Sequence, residues 1–499
     1  MALVIEQEPA YRTLAAGQEV IYVVSENTGI VFNNDLVKIN ALVIISKNAN
    51  FTDVIHSSSY SSTPNNKGVA IFDFGPVLEN YVLPQRNGVL SNTPASASTF
   101  STIPYDETTG YHAIHHIDDY ALGEEPVKYF MVGFTIEFLG ADPNNPNAIA
   151  ENGMYAQPNR CLIYNGVLYE TDQLQYSSTL SPNYGYNLAG FNYIFSTSAR
   201  KFLSDKPTQL YARLEDYGTF AFFNGLVSAK DSFDTNAISS SKGIQHIEVK
   251  QYEIGSGNLI NSYEVVNNQN NGGWSGRNIL IDQPTNSPQV LQAKCRFLFY
   301  GGYPANQQTA NESFRANMSA TDYYTIQAFS SDSVPCSKIY TINIIRDCLY
   351  EPIRLAWLNK YGAWDYYTFM KKSVKTLEAK RVDYHKLKGT WNSATYNVAI
   401  NKGGSKTYKT ETTEKITLNT DFVSEEDAVW FEQLFTSNEV MIVKPFFSIK
   451  VGSTQVINRF TEPVKLITNS FTKKNRVNDK LIQYSFQIEK SYKIKSQGA

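Results

Sequence analysis

Short runs of strand-forming residues recur along this 499-residue chain at roughly even spacing, each closed by Gly, Asn or Pro. Successive side chains of a strand point to opposite faces, so such runs fold as sheets and leave little room for long helices. Glu19–Ser25 and Lys38–Ile45 read as strands, with Glu26-Asn27-Thr28-Gly29 as a turn. Val69–Phe74, Val127–Phe138, Cys161–Tyr169, Phe191–Phe195, Gln209–Leu214 and Thr219–Phe223 follow. Ile244–Ile254, Ser262–Val266, Val290–Tyr300, Tyr323–Ala328 and Ile339–Ile345 continue the series. Beyond residue 350 come Tyr396–Ile400, Thr407–Leu418, Glu439–Val443, Val464–Thr468 and Leu481–Ile488. The expected fold is mainly β: a multi-domain β-sandwich or barrel-like architecture. Two helical pieces interrupt it. Pro76 opens a short turn in which Val77, Leu78 and Tyr81 share a face. One packed helix lies in the C-terminal domain, where Ser424 is the N-cap, Glu425, Glu426 and Asp427 complement the helix N-terminus, and Ala428, Phe431, Leu434 and Phe435 form the buried stripe.

Composition narrows the class. Charged residues make up 18% and aromatics 13%, with 33 Tyr and 28 Phe. The charged share is below the roughly 25% of ordinary soluble domains, so uncharged polar residues carry the surface. No run of about 18 apolar residues is present, and no membrane span is expected. The N-terminal Met1-Ala2-Leu3-Val4-Ile5-Glu6 has neither a basic leader nor a long apolar stretch, so a secretory signal is not expected. Cys161, Cys295, Cys336 and Cys348 are too few for a disulfide framework and read as buried thiols.

The formal net charge of −3 conceals an asymmetry. Residues 350–499 hold about 24 Lys and Arg against 15 Asp and Glu, a net of about +9. Residues 1–349 hold about 20 against 32, a net of about −12. Three parts are expected: residues 1–110 as an N-terminal β domain ending in an exposed loop at 87–110, residues 111–349 as a second acidic β domain continuous in character with the first, and residues 350–499 as a basic β domain.

The usual signatures of catalysis are missing. The chain has no G-x-S-x-G, no G-x-x-x-x-G-K-[ST] and no H-E-x-x-H. Gly272-Gly273-Trp274-Ser275-Gly276 lacks a phosphate-binding Lys and reads as a loop. His112, His115 and His116 with Asp118 and Asp119 hold half of the six histidines. On a strand His115 faces away from His112 and His116, and on a helix the carboxylates swing aside. A polar surface or interface cluster is therefore expected there, rather than a metal site. Asp142-Pro143-Asn144-Asn145-Pro146-Asn147 lacks the closing Glu of a calcium loop and reads as a turn. Nothing local selects a carboxylate pair for glycoside hydrolysis: Glu124-Glu125 reads as a loop and Glu425-Glu426 as a helix start. No enzyme activity, catalytic residue, metal or cofactor is expected.

The densest aromatic cluster is Trp357, Tyr361, Trp364, Tyr366, Tyr367 and Phe369. Three uses compete: a core at a domain boundary, a protein interface rich in Trp and Tyr, and a platform for sugar rings. Trp357, Tyr361, Trp364, Tyr366 and Tyr367, with Lys371, Lys372, Lys473, Lys474 and Arg476, are the candidate interface residues. Basic Lys375, Lys380 and Arg381 lie nearby. Such a surface suits an acidic protein face, such as the first part of a neighbouring copy.

Three segments carry a resemblance: Val69–Val82, Ile353–Phe369 and Phe471–Tyr484. Together, and in this order, they resemble virion tail proteins of tailed bacteriophages that infect Bacteroidota, including crAss-like phages. The resemblance implies a structural subunit of hub, ring or distal-tail type, assembled symmetrically in the host cytoplasm and resident in the virion tail. Its partners would be further copies in a homo-oligomeric ring and other tail proteins, with nucleic acid only if the chain lines the tail lumen. Alternatives are a receptor- or glycan-binding tail adaptor, with contacts at 87–110, Tyr184-Gly185-Tyr186 and Trp274, and a glycan-depolymerising tail enzyme. The resemblance supplies no catalytic residues.

Overall fold

Strand ladders carry more than half of the described backbone. The structure is a computed structural model, and it describes residues 3–9, 13–47, 51–84, 121–122, 126–156, 160–167, 202–223, 246–266, 297–310, 312–329, 334–346, 349–389, 394, 397–444, 447–451, 454–458, 461–474 and 482–495. The architecture is mainly β with several sheets and a few helices, one of them near the C-terminus. Among the described residues no sheet closes into a barrel: each sheet order runs from one edge strand to another. The barrel-like expectation is corrected accordingly. Contacts divide the chain into two compact units. The first holds residues 1–346, 358–365 and 445–459, and the second holds 347–357, 366–444 and 460–499. The expected parts 1–110 and 111–349 thus fall together, and two short stretches of the basic part group with them.

In the first unit, Val127–Leu139 is the central strand of a six-stranded sheet. It pairs antiparallel with Lys38–Ser46, Cys161–Val167 and Ile149–Ala156. Val54–Ser62 and Thr13–Gly17 lie at the edges, the latter parallel to Cys161–Val167. A three-stranded sheet of Leu3–Gln7, Ile21–Glu26 and Val69–Asp73 meets it through aromatic rings. Tyr22 and Phe72 lie 5.9 and 5.5 Å from Phe134, and Phe74 lies 5.7 Å from Tyr22. A five-stranded sheet orders Gln209–Arg213, Tyr340–Ile345, Thr321–Phe329, His246–Glu253 and Leu259–Val266. Its buried face, including Ile247, Val249, Tyr324 and Ile326, receives Phe314 of the helix Glu312–Asn317 edge-on against Tyr324 at 5.1 Å.

The chain turn after Ile21–Glu26 shows how polar groups are satisfied locally. Glu26 is 4% exposed. Its carboxylate accepts from the Thr28 amide at 2.5 Å, the Thr28 hydroxyl and the Val31 amide at 3.3 Å. Burial pushes this carboxyl up, but the hydrogen bonds together outweigh burial and hold it below the usual glutamate range.

The second unit is one large sheet with a helix against it. The sheet order is Trp364–Phe369, Ile353–Leu358, Val440–Val443, Thr461–Leu466, Ser485–Lys490, Gly404–Asn419 and Val374–Lys386, and Ile494–Lys495 also pairs with Gly404–Asn419. The helix Glu425–Thr436 begins with a capping box: Ser424 Oγ accepts from the Asp427 amide, and the Asp427 carboxylate accepts from the Ser424 amide at 2.7 Å. Its buried residues are Ala428, Trp430, Phe431, Gln433 and Leu434, whereas Phe435 is half-buried and stacks on Phe471 at 6.0 Å. The stripe is wider than expected because Trp430 reaches Trp357, with ring centres 5.0 Å apart. Phe431 fills the centre, 5.0 Å from Tyr367 and 5.6 Å from Phe486.

One pair of strands departs from this burial. Val374–Lys386 and Gly404–Asn419 pair antiparallel along the full 13 residues of the former. Every residue of Val374–Lys386 is exposed, on both faces. Past Glu411 no third strand pairs with the two among the described residues, so they project as a two-stranded arm. The sequence reading finds the second strand but not the first. It also places a strand at Tyr396–Ile400, where the structure has an isolated bridge at Val398 and a 3-10 turn at Ile400–Lys402.

Two outcomes are expected. Phe431→Ala lowers the unfolding free energy by about 3–5 kcal/mol, read by urea denaturation, because a central aromatic leaves a cavity that cannot collapse. For Glu26, the carboxyl is depressed in the folded state, so its stabilisation is present at neutral pH and lost as pH falls through the folded value. Glu26→Gln therefore costs about 1–3 kcal/mol at pH 7, and the gap between variant and wild type narrows as pH drops below about 4.

Candidate functional site

The densest polar constellation among the described residues surrounds the turn Leu358–Asp365, part of the first unit. The turn is built by Asn359 and Gly362. The Asn359 carboxamide oxygen accepts from the amides of Tyr361 at 2.9 Å and Ala363 at 3.1 Å, and its backbone closes onto Ala363 and Gly362. Gly362 has φ +74, and a Cβ there would stand 2.0 Å from the Asn165 carbonyl oxygen. Conformation and space both require glycine.

Ser204-Asp205-Lys206 grips this turn. Asp365 is fully buried and lies 3.8 Å from the Lys206 ammonium, itself 1% exposed. Ser204 Oγ donates to the Asp365 carboxylate at 2.7 and 2.8 Å, and the Asn359 amide donates to it at 3.1 Å. Asn359 also donates to the Leu203 carbonyl at 2.9 Å. Tyr361 OH donates to Asp205 at 3.0 Å, and Lys360 pairs with Asp205 at 3.2 Å. The Lys206 ammonium sits 3.7 Å above the Phe220 ring, a cation–π contact that supplements the ion pair. Nearby, burial pushes the Tyr340 hydroxyl well up; the Phe202 amide, donating to its oxygen at 3.2 Å, opposes that only in part, and the Asp365 and Asp205 charges add to it. Tyr340 therefore stays a neutral phenol across the physiological range.

A hydroxyl, an ammonium and a carboxylate in reach of one another are also the parts of a nucleophilic site. Here Ser204 and Lys206 are 2% and 1% exposed, Asp365 is fully buried, and the Ser204 proton is directed at Asp365. The three groups are buried and directed at one another, an arrangement that clamps the turn. Sequence reasoning missed Ser204, Asp205, Lys206 and Asp365. Ser-Asp-Lys-Pro reads locally as an exposed turn, and the partner lies about 160 positions away, beyond any local pattern.

The candidate interface residues separate into two groups. Trp357, Tyr361, Trp364 and Tyr366 are buried, at 0, 3, 1 and 2% exposure, and half-buried Tyr367 packs between Phe369, Trp430 and Phe431. The faces of these rings are thus occupied within the chain. Tyr367 also receives the Asp421 amide at 3.1 Å, and burial pushes its hydroxyl up. The basic residues lie outside. Lys371 pairs with Asp421 at 2.8 Å and Lys473 with Glu432 at 2.6 Å. Lys474 donates to the Gln483 carbonyl at 2.8 Å, and Lys372 is exposed. Arg476 lies outside the described residues.

Other sequence candidates have simple structural roles or fall outside the description. In the 142–147 turn, Asp142 and Asn145 accept from the amides of Asn144 and Asn147, and Gly140 bonds Ala148. Cys161 and Cys336 are buried and stand outside any disulfide. Among the described residues no group of three or more His, Cys, Asp or Glu is placed to hold a metal. The His112–Asp119 cluster, the 87–110 loop, Glu124-Glu125, Tyr184-Gly185-Tyr186, Gly272–Gly276, Cys295 and Cys348 lie outside the described residues.

No family model matches the chain, and no curated protein matches it. Among solved structures, the crystal structure of trypsin-activated alpha-2-macroglobulin from Escherichia coli is similar over 97% of this chain, with 8% identity and a TM-score of 0.16. This chain spans 23% of that one. A likeness so loose carries no argument about fold or function.

A double-mutant cycle tests the clamp. Asp365→Ala strands a buried ammonium and lowers stability by about 3–5 kcal/mol. Adding Lys206→Met to Asp365→Ala restores much of that loss, because no uncompensated charge remains. Additive losses in urea denaturation would show that the two groups do not act as a pair.

Proposed function

We propose that this chain is a structural subunit of a bacteriophage tail, a hub, ring or adaptor component that assembles symmetrically and joins other tail proteins. On this reading its sheets are sandwich domains of a virion scaffold, built in the host cytoplasm and carried in the tail. The observation that carries the proposal is where the three resembling segments fall. Val69–Val82 supplies the strand Val69–Asp73 and the helical turn Gly75–Leu78, with Phe72, Phe74 and Leu78 buried. Ile353–Phe369 supplies two sheet strands and the clamped turn. Phe471 and Tyr484, at the ends of the third segment, pack 4.9 Å apart against the core of the second unit. The first two segments and the described ends of the third lie at framework positions, which supports a likeness of fold rather than of a shared loop motif.

The polar groups support the same reading. The buried Asp365 and Lys206 hold a turn in place, and the long exposed arm offers a contact surface. Quantitative mass spectrometry of purified phage particles tests the proposal. The chain is expected in the particle at a fixed copy number consistent with rotational symmetry of the tail. Its absence from particles that carry complete tails would overturn the proposal.

A further inference from the structure

The outer part of the arm, Arg381–Lys386 with Gly404–Thr410, has no buried residue to explain it. Two-stranded ribbons are marginal in water unless a third element covers them, and an open edge strand invites another chain. Near its base the arm is balanced in charge, with Lys375 paired to Glu351 and Lys415 to Glu378, and midway along it Glu411, opposite Lys380, pairs with Lys409 and Lys493. Lys409 and Lys493 hold the Glu411 carboxyl down at about 2. Towards the tip the balance disappears. Beyond Glu411, Arg381, Lys386, Lys388 and Lys402 are exposed. The acidic residue among them is Asp383, which accepts from the Thr407 hydroxyl at 2.7 Å.

Large apolar side chains stand among these cations. Val382 is 57% exposed, Leu387 62%, Ile400 83% and Tyr408 69%. Tyr384 meets Tyr408 edge-on at 6.4 Å. Exposed aliphatic and tyrosine side chains ringed by arginine and lysine have the make-up of a protein contact. The described residues 381–389 and 397–410 are enough to supply the roughly 20–30 residues a side of a standard interface.

We infer that the outer half of the arm docks onto the acidic first unit of a second copy of this chain. The charge balance selects that occupant. Residues 1–349 carry a net of about −12, and Asp35, Asp53, Asp73, Glu79, Glu151 and Asp322 are exposed carboxylates on that unit. A head-to-tail contact between unlike surfaces is the kind that closes a ring when its rotation fits. The inference rests on the scaffold reading above and names the partner and the surface that assembly would use.

Sedimentation of the full-length chain across a concentration series tests it, at low and high salt, with two sets of variants. Arg381→Glu with Lys386→Glu and Lys388→Glu reverses the tip charge, and Leu387→Ser with Ile400→Ser removes apolar contact. All five positions are exposed, and circular dichroism checks that each variant is folded. The expected result is self-association of the wild type that weakens in high salt, and a dissociation constant raised about tenfold or more by either set. A wild type that stays monomeric, or variants that associate like the wild type, would overturn the inference. So would arm-dependent binding of duplex DNA by a chain that stays monomeric. The scaffold proposal fails separately. A chain found in virions whose arm variants assemble normally loses only the arm's role, and a chain missing from virions loses the scaffold role even if it self-associates.

Discussion

The Asp365 carboxylate, fully buried beside Lys206 and hydrogen-bonded by Ser204 and Asn359, is the interaction on which the register of the Ile353–Phe369 hairpin depends. A buried ion pair adds little net stability over a well-packed apolar pair, but breaking it is costly. Its effect here is selective. Side chains alternate across a strand, so a slip of one residue would turn Asp365 away from Lys206 and take Trp364 and Tyr366 out of their packed positions. It would also move Gly362 off the one site where a Cβ would strike the Asn165 carbonyl. The aromatic density of this segment is thus a packing requirement, fixed in place by a few polar contacts at the turn.

The legible part of the fold is the part whose burial is one-sided. Val127–Leu139 alternates buried and half-buried residues over most of its length, and period two in the sequence reads that burial directly. The N-cap at Ser424 was equally visible, because a cap is satisfied within three residues. Val374–Lys386 was invisible for the converse reason. A strand exposed on both faces has no alternation to display, and its Lys, Glu and Arg residues resemble a solvated loop. Strand pairing there follows from the neighbouring Gly404–Asn419 ladder, a non-local fact. The polar strand Val54–Ser62 was missed too, since serine fills one of its faces.

The candidate site was legible only in part. The aromatic residues from Trp357 to Phe369 announce a place of dense packing, but the sequence alone does not separate a core from a contact surface. The structure puts Trp357 against Trp430 and gives the neighbouring rings partners of their own. The clamp that holds Asp365 joins residues about 160 positions apart, and nothing local in Ser-Asp-Lys-Pro signals it. The charge asymmetry, by contrast, was plain from composition. The structure places part of it beyond Glu411 on one arm, where Arg381, Lys386, Lys388 and Lys402 are exposed.

A division of labour follows from the proposal: aromatic side chains hold the interior of each unit, and the basic arm is the surface proposed to meet a neighbour. Hydrogen–deuterium exchange on the free chain and on the chain within purified tails tests that division most directly. The amides of residues 358–365 should be protected in both states, and those of 381–410 should exchange fast in the free chain and slow on assembly. Equal exchange of 381–410 in the two states, or loss of protection at 358–365 in the free chain, would contradict the account.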